Sequence, residues 1–496
     1  VDLRRKLARL VQPPSATQTA ESLVVPSRPE PAAEPRAAEP SSEGASGADR
    51  LSALRSQLDA LVARSRQRER TTGVERREAR AGVLGMGFEE ECTPEGPLFV
   101  RRIRYARHAR VGHAPLDAAI DADAGALCRL ALDDSFSSVG ASAALYFDTE
   151  TTGLAGGTGT LPFLIGLGFF EDRAFVVEQL LLRAPGEELP MLVHLAARIG
   201  AASSLVSFNG KSFDWPLLRT RFVMNRCPVP PPPPHLDLVH VARRIHRRPR
   251  KRAGSDGASG GPQIERWDPE LEALVSESSC KLVAIERKLL GFERVDDVPS
   301  GEIPARYAHF LRTGDGEALG SVCDHNAWDV ASMAALLGVY ATSITSLAEP
   351  HGRAEVPLAP EEWVGLAQTL ARSGDLAHAR RAADRALAEP TAPAVERRAL
   401  HTRARIAKRA DEVETAQADL ESLSQTYDDA EARLELAKLY EHRLRDPVRA
   451  LDVALAGTSE PAPRAEVRTA RLRKKKLRGE QLAHASLGGS TRGKRR

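Results

Sequence analysis

The sequence predicts an α/β domain built on a mixed sheet, followed by an all-α domain of helical hairpins, and three observations carry that expectation. Residues 141–343 alternate strand-like apolar runs with helix-like stretches. After Pro350 the chain turns to Ala, Leu, Arg and Glu at helical period, and a phrase beginning at Trp363 is echoed from Leu434. Ahead of both lies a stretch rich in Pro, Ala, Ser and Glu, which cannot bury enough apolar surface to offset the entropy of ordering it.

Taken in order, residues 1–11 fit one short amphipathic helix with Leu3, Leu7, Leu10 and Val11 on a face, and 12–48 read as a disordered linker. Residues 49–140 form a helical and mixed lead-in: Leu51, Leu54, Leu58 and Leu61 recur at helical spacing, and 97–103 look like a strand. Within 141–343, the runs 145–148, 161–170, 174–182 and 204–209 read as strands. The stretches 187–199, 281–290 and 319–340, and one starting at Pro216, read as helices. An insertion at 228–262 interrupts the pattern, with a stiff extended run at Pro230 to Pro234 and a basic run over 243–252.

The second domain spans 355–460. Asp375, Ala379 and Ala383 match Asp446, Ala450 and Ala454, each 71 positions on, with a weaker copy over 399–423 between them. That offset is close to two periods of a helical hairpin of about 34 residues, which fits tetratricopeptide-like repeats and equally a plain helical bundle. The tail, 461–496, is from Arg468 on dense in Arg and Lys against the single acid Glu480, and reads either as a flexible arm drawn to phosphates or as a solvated end.

Composition narrows the classes. Lys and Arg number 70 against 67 Asp and Glu, a formal net charge of +3, so any attraction to a polyanion must come from local clusters. The five cysteines lie far apart with no C-x-x-C pair, which argues against a zinc knuckle or a disulfide framework and for a reducing cytoplasm. The apolar runs are read as too short for a bilayer, and the N-terminus lacks a signal-peptide core, so no membrane partner is expected.

Chemistry concentrates in three motifs. In LYFDTETTGL, Asp148 and Glu150 end a buried strand two residues apart, so both point to one side of the sheet, where hard oxygen ligands suit Mg²⁺ or Mn²⁺. In SFNGKSFDWPLL, Asp214 stands at the mouth of a helix, either as its cap or as a further ligand. In CDHNAWDV, His325 and Asp329 lie four apart on one helical face, a general base beside a ligand.

The order of these motifs resembles that of the DnaQ-like, or DEDD, 3′ to 5′ exonucleases. The longer runs FDTETTGLAGGTGTLPFLIGLG, SFNGKSFDWPLLRTRF, HLDLVHVARR, CKLVAIERKLLGFERVDDVPSGEIPARY and HNAWDV are similar to the YprB-like branch of the ribonuclease H-like superfamily, over residues 81–343. The resemblance implies a ribonuclease H-like fold and a metal-dependent nuclease. Asp148, Glu150, Asp214 and Asp329 would hold two Mg²⁺ or Mn²⁺ ions, and His325 would act as base. It places Thr151, Thr152 and Leu154 near the terminal nucleotide, Asn209 in a positioning role and Lys211 at a phosphate. Asp237 would support the fold, and 294–307 would loop over the substrate face. The implied partner is DNA or RNA, entering as a single-stranded 3′ end, with a protein partner on the repeats; the alternative is a non-catalytic binding module. Between His325 and Asp329 stand Asn326, Ala327 and Trp328, one residue fewer than in the His-type members, so the resemblance sets His325 at the Tyr-type position and leaves Asp324 as the alternative base.

Overall fold

Nine strands are described. In chain order they are β1 (Glu89–Thr93), β2 (Gly96–Tyr105), the two-residue pair β3 (Arg110–Val111) and β4 (Ala114–Pro115), β5 (Ala144–Thr151), β6 (Pro162–Glu171), β7 (Ala174–Leu181), β8 (Ser204–Ser207) and β9 (His235–Asp237). The computed structural model describes residues 85–153, 159–246, 280–348 and 358–489, all within one compact unit, Glu69–Arg496. The expected N-terminal helices and linker over 1–80, the part of the 228–262 insertion beyond 246, Leu154 and the last residues of the tail lie outside the described residues, and the expected insertion is corrected over 235–245, where a strand of the main sheet and a core helix run.

Seven strands make one sheet in the order β1-β2-β7-β6-β5-β8-β9. The pairs from β1 through β5 are antiparallel, and β5-β8 and β8-β9 are parallel, so the sheet is mixed as expected. The lead-in strands β1 and β2 belong to this sheet, with Phe99 paired to Leu181. Around it come α1 (Ala124–Ala131), α2 (Glu188–Ala201), α3 (Asp214–Met224), α4 (Leu238–Ile245), α5 (Leu282–Ile285, continuing as a π turn through Leu290), α6 (Ile303–Thr313) and α7 (Glu317–Thr345). Part of the stretch expected as a loop at 294–307 is thus the first turns of α6.

Burial along β5 explains the layering. Side chains alternate across a strand. Leu145 and Phe147 accordingly join one core with α2, α3 and α6, through Leu192, Leu218 and Phe310. Ala144 and Tyr146 join the other, with α1, α4 and α7. Being covered on both faces, β5 reads as a continuous apolar run until its two carboxylates. Helix α7 is long and apolar enough to span a bilayer by length and composition, but 83% of that stretch is buried, so it serves here as the central core helix. Its close seat on the sheet depends on two glycines of β6: a Cβ on Gly166 would sit 2.2 Å from Asn326 Oδ1, and one on Gly168 would sit 2.5 Å from Val330.

The C-terminal region is a run of helices: α8 (Pro360–Arg372), α9 (Leu376–Ala386), α10 (Pro393–Arg409), α11 (Val413–Thr426), α12 (Ala430–Leu439), α13 (Pro447–Leu455) and α14 (Ala462–Gly489). The 71-residue echo has a physical basis. Asp375 and Asp446 cap α9 and α13 by accepting backbone N–H bonds, from His378 and from Val448 and Arg449. Ala379, Ala383, Ala450 and Ala454 are buried where helices cross closely. The tail differs from a flexible arm, because 462–489 are helical. Leu472 is fully buried in the last hairpin, while Arg471 and Lys475 bind Glu441 at 2.7 and 2.9 Å.

Candidate active site

Strand β8 ends one step beyond the level of Tyr146, its Val206 pairing with that residue, so the segment after it arrives beside Asp148. There the chain turns through Asn209, held in the left-handed region at φ 73°. The carboxylate of Asp237 fixes that turn: Oδ1 accepts from the Asn209 N–H at 2.7 Å and from Val239 N–H at 3.1 Å, and Oδ2 accepts from Lys211 N–H at 3.1 Å. A buried aspartate serving three amides is structural, as expected of Asp237. The turn delivers Asp214 to the start of α3. The N-cap position is Phe213, with no side-chain cap, so Asp214 is not spent on the helix end. It is buried and accepts a hydrogen bond from Thr149 Oγ1 of β5.

Asp148 and Glu150 share the α7 face of β5. Asn326 Nδ2 donates to Asp148 Oδ2 at 3.0 Å, and Gln179 Nε2 donates to Asn326 Oδ1 at 3.0 Å and to the Cys323 carbonyl at 2.6 Å. This buried amide relay ties β7, α7 and β5 together, and Gly166 leaves the space for it. A bulge between Glu150 and Thr151 re-aims the chain beside the site.

Glu150, His325 and Asp329 each offer a ligand atom, all within 4.8 Å of one another. His325 Nε2 stands 3.6 Å from Asp329 Oδ2, and its Nδ1 is 2.6 Å from Asp297 Oδ1. Asp324, adjacent in sequence, faces away to Arg101 at 3.5 Å. Behind this group lies Arg294, its side chain 2% exposed. Glu286 grips it through Nε at 2.8 Å and Nη2 at 2.6 Å, and Nη2 also donates to Asp329 Oδ1.

The electrostatics follow from burying acids together. Burial raises the Asp148 pKa well above the usual carboxylate range, and Asp329, Asp214 and Glu150 raise it further. Glu150 is raised likewise, by burial and then by Asp329 and Asp214, with Arg294 opposing. Asp214 is pushed up to about 6, chiefly by burial and against the Thr149 hydrogen bond. Burial alone would lower the Arg294 pKa, but Asp329 and Glu286 turn the shift upward. Crowded oxygen donors with one imidazole, short of positive charge, fit a hard divalent cation. Among the described residues Glu150, His325 and Asp329 are the group close enough to hold one together, and Asp148 and Asp214 act electrostatically on it.

The remaining expected residues are less directly engaged. Thr151 is buried and donates its hydroxyl to the Gly153 carbonyl at 2.9 Å, and Thr152 Oγ1 accepts from Leu161 N–H at 3.0 Å across the loop. Lys211 is exposed beside the Asp237-held turn. Sequence reasoning missed Thr149, Asn326, Arg294, Glu286 and Asp297 as site neighbours. Arg294 and Asp297 lay in the 294–307 stretch expected over the substrate face, Asp297 with the further signal of the paired acids in RVDDVPSG; Thr149, Asn326 and Glu286 are ordinary strand and helix residues until the fold brings them in.

A family model described as RNase_H superfamily matches residues 145–340, which contain all of these groups. A curated relative, "Uncharacterized protein YprB" from Bacillus subtilis (strain 168), is 30% identical over 343 residues, covering 66% of this chain and 74% of that protein.

Proposed function

The chain belongs to the RNase_H superfamily and to the family of its YprB relative, and from that nuclease-type fold we propose a metal-dependent 3′ to 5′ exonuclease acting on DNA or RNA. One observation carries the reading: Glu150 from the first motif meets His325 and Asp329 from the third, with ligand atoms within 4.8 Å of one another, and Asp148 and Asp214 lie near enough to act electrostatically on the same buried acids. Four carboxylates at such a patch suit two Mg²⁺ or Mn²⁺ ions. When bound, such cations polarise the scissile phosphate and offset charge on the attacking and leaving oxygens.

The chain's own groups supply the rest. Asp297 claims the Nδ1 proton of His325, which leaves the Nε2 lone pair turned toward Asp329 and free to take a proton from an attacking water. Arg294 occupies one oxygen of Asp329, so this carboxylate presents only its other oxygen to the site. The Asn326 amide aims Asp148 in the same way. The exonuclease polarity draws on the resemblance to the DEDD motif order, as do a single-stranded 3′ end as substrate and a protein partner on tetratricopeptide-like repeats. A complete acidic set speaks against a non-catalytic module.

The test uses 5′-labelled oligonucleotides of both sugars with Mn²⁺. A ladder that shortens one nucleotide at a time, is blocked by a 3′-phosphate and is absent in Asp148→Ala supports the proposal. Cleavage at internal positions regardless of the 3′ end would refute the polarity, and no cleavage of either polymer would refute the activity.

A further inference from the structure

Several arginines of the helical domain are paired with acids. Arg397 meets Asp429, Arg403 meets Asp419 and Asp384, Arg443 meets Asp411, Arg449 meets Asp446, and Arg468 meets Glu460. Others have no such partner among the described residues, and three of these lie together. Arg372, Arg405 and Arg409 are exposed, and among the described residues none has a carboxylate partner.

These three arginines surround one cavity. It holds about 260 Å³ between α8 and α10, and Gln368, Ala371, Thr402 and Ile406 complete its lining. On α10 the positions 402, 405, 406 and 409 fall at three- and four-residue spacing, so they form one helical face turned to the cleft. The floor is rigid, because Gln368 Nε2 donates to Thr402 Oγ1 at 3.0 Å and Arg409 Nη1 donates to the Ala371 carbonyl at 2.6 Å.

We infer that this cleft is a second nucleic-acid site, in which Arg372, Arg405 and Arg409 grip the phosphodiester backbone of a strand. The cavity is smaller than pockets for drug-sized ligands, about 300 Å³ and up, and suits a phosphate with part of its sugar. Guanidinium forks match phosphate oxygens two at a time, and their planes tolerate any base. The inference rests on the proposed function only in choosing nucleic acid as the polyanion.

The experiment is equilibrium binding, read by fluorescence anisotropy of single-stranded DNA and RNA oligonucleotides to the full chain across a salt series. Divalent ions are left out, so hydrolysis plays no part and a failure here is separable from a failure of the exonuclease reading. Each lost phosphate contact on a single strand should flatten the slope of log K against log salt by about 0.7, so Arg405→Gln with Arg409→Gln should flatten it by about 1.4. The exposed, partnerless Arg405→Gln alone should give half that change, with an unaltered melting curve. A control double variant of paired arginines, Arg443→Gln with Arg449→Gln, should leave the slope unchanged. The inference is overturned if the cleft variants bind with the wild-type slope, if the control flattens it equally, or if a polyglutamate peptide displaces the oligonucleotide at equal concentration.

Discussion

At the residue scale, His325 is defined less by its spacing to Asp329 than by what lies on its other side. Asp297 at 2.6 Å fixes the tautomer, and without it the ring would present the wrong nitrogen. His325→Ala should lower kcat by about 10²- to 10⁴-fold, the usual worth of a positioned base, and Asp297→Asn by about 10- to 100-fold. The informative readout is rescue: Asp297→Glu, which keeps an acceptor for Nδ1, should recover part of the activity that Asp297→Asn loses, and equal losses in both would contradict the positioning role. The first motif was legible because alternation on a strand is a local rule that placed Asp148 and Glu150 on one side. Arg294 and Asn326 were not legible, since nothing near either residue in sequence points to the carboxylate it meets. The two readings of Asp214 were separable only once Phe213 was seen at the cap position.

At the scale of elements, the sheet is held to α2 by a charge cluster invisible in sequence. Glu178 of β7 is fully buried and bonds His194 at 2.7 Å, Arg198 at 2.8 Å and Arg102 at 2.8 Å. Burial pushes its pKa up, but the His194 and Arg198 hydrogen bonds prevail and hold it at about 2. A folded-state pKa below the unfolded one means stability that is full above the unfolded value near 4.5 and is lost as pH falls from there toward 2. Glu178→Gln should destabilise the protein at neutral pH by about 1–3 kcal/mol, because it weakens charge-assisted hydrogen bonds made by a buried carboxylate to partly exposed cations. It should also flatten the acid side of the urea-unfolding profile; an unchanged acid slope would sink this account. The strands of the site were readable from their apolar runs. The recruitment of β1 and β2 as the outer strands was not, because long-range pairing leaves no local signature.

At the scale of the whole molecule, the two expected domains share a core. Leu358, Trp363, Val364 and Leu366 lie in the same buried cluster as Val241, Ile245 and Tyr340. Gly365 allows α8 to approach α4 so closely that a Cβ would meet the Ile245 carbonyl at 2.4 Å. A polar node crosses the same seam: Glu362 accepts from Lys288 at 2.6 Å and pairs with His246 at 2.9 Å, and His246 in turn meets the Tyr340 hydroxyl at 2.8 Å. Glu362→Ala should cost about 3–5 kcal/mol and split one thermal transition into two, as calorimetry would read; a single transition at the wild-type temperature would show that the node does not couple the halves. The change in composition after Pro350 marked a new architecture correctly, and the 71-residue echo marked its hairpins, but composition carries no information about a shared interface.

The central claim is that the buried carboxylates form a metal-dependent phosphodiesterase. Its most direct measurement is single-turnover hydrolysis of a 3′-terminal phosphodiester by the full chain, in Mn²⁺ and then in excess chelator, for wild type and Asp148→Asn. The account predicts hydrolysis by wild type that stops with chelator and returns with Mn²⁺, and none above background in Asp148→Asn. Hydrolysis that persists in chelator, or in Asp148→Asn at the wild-type rate, would contradict it.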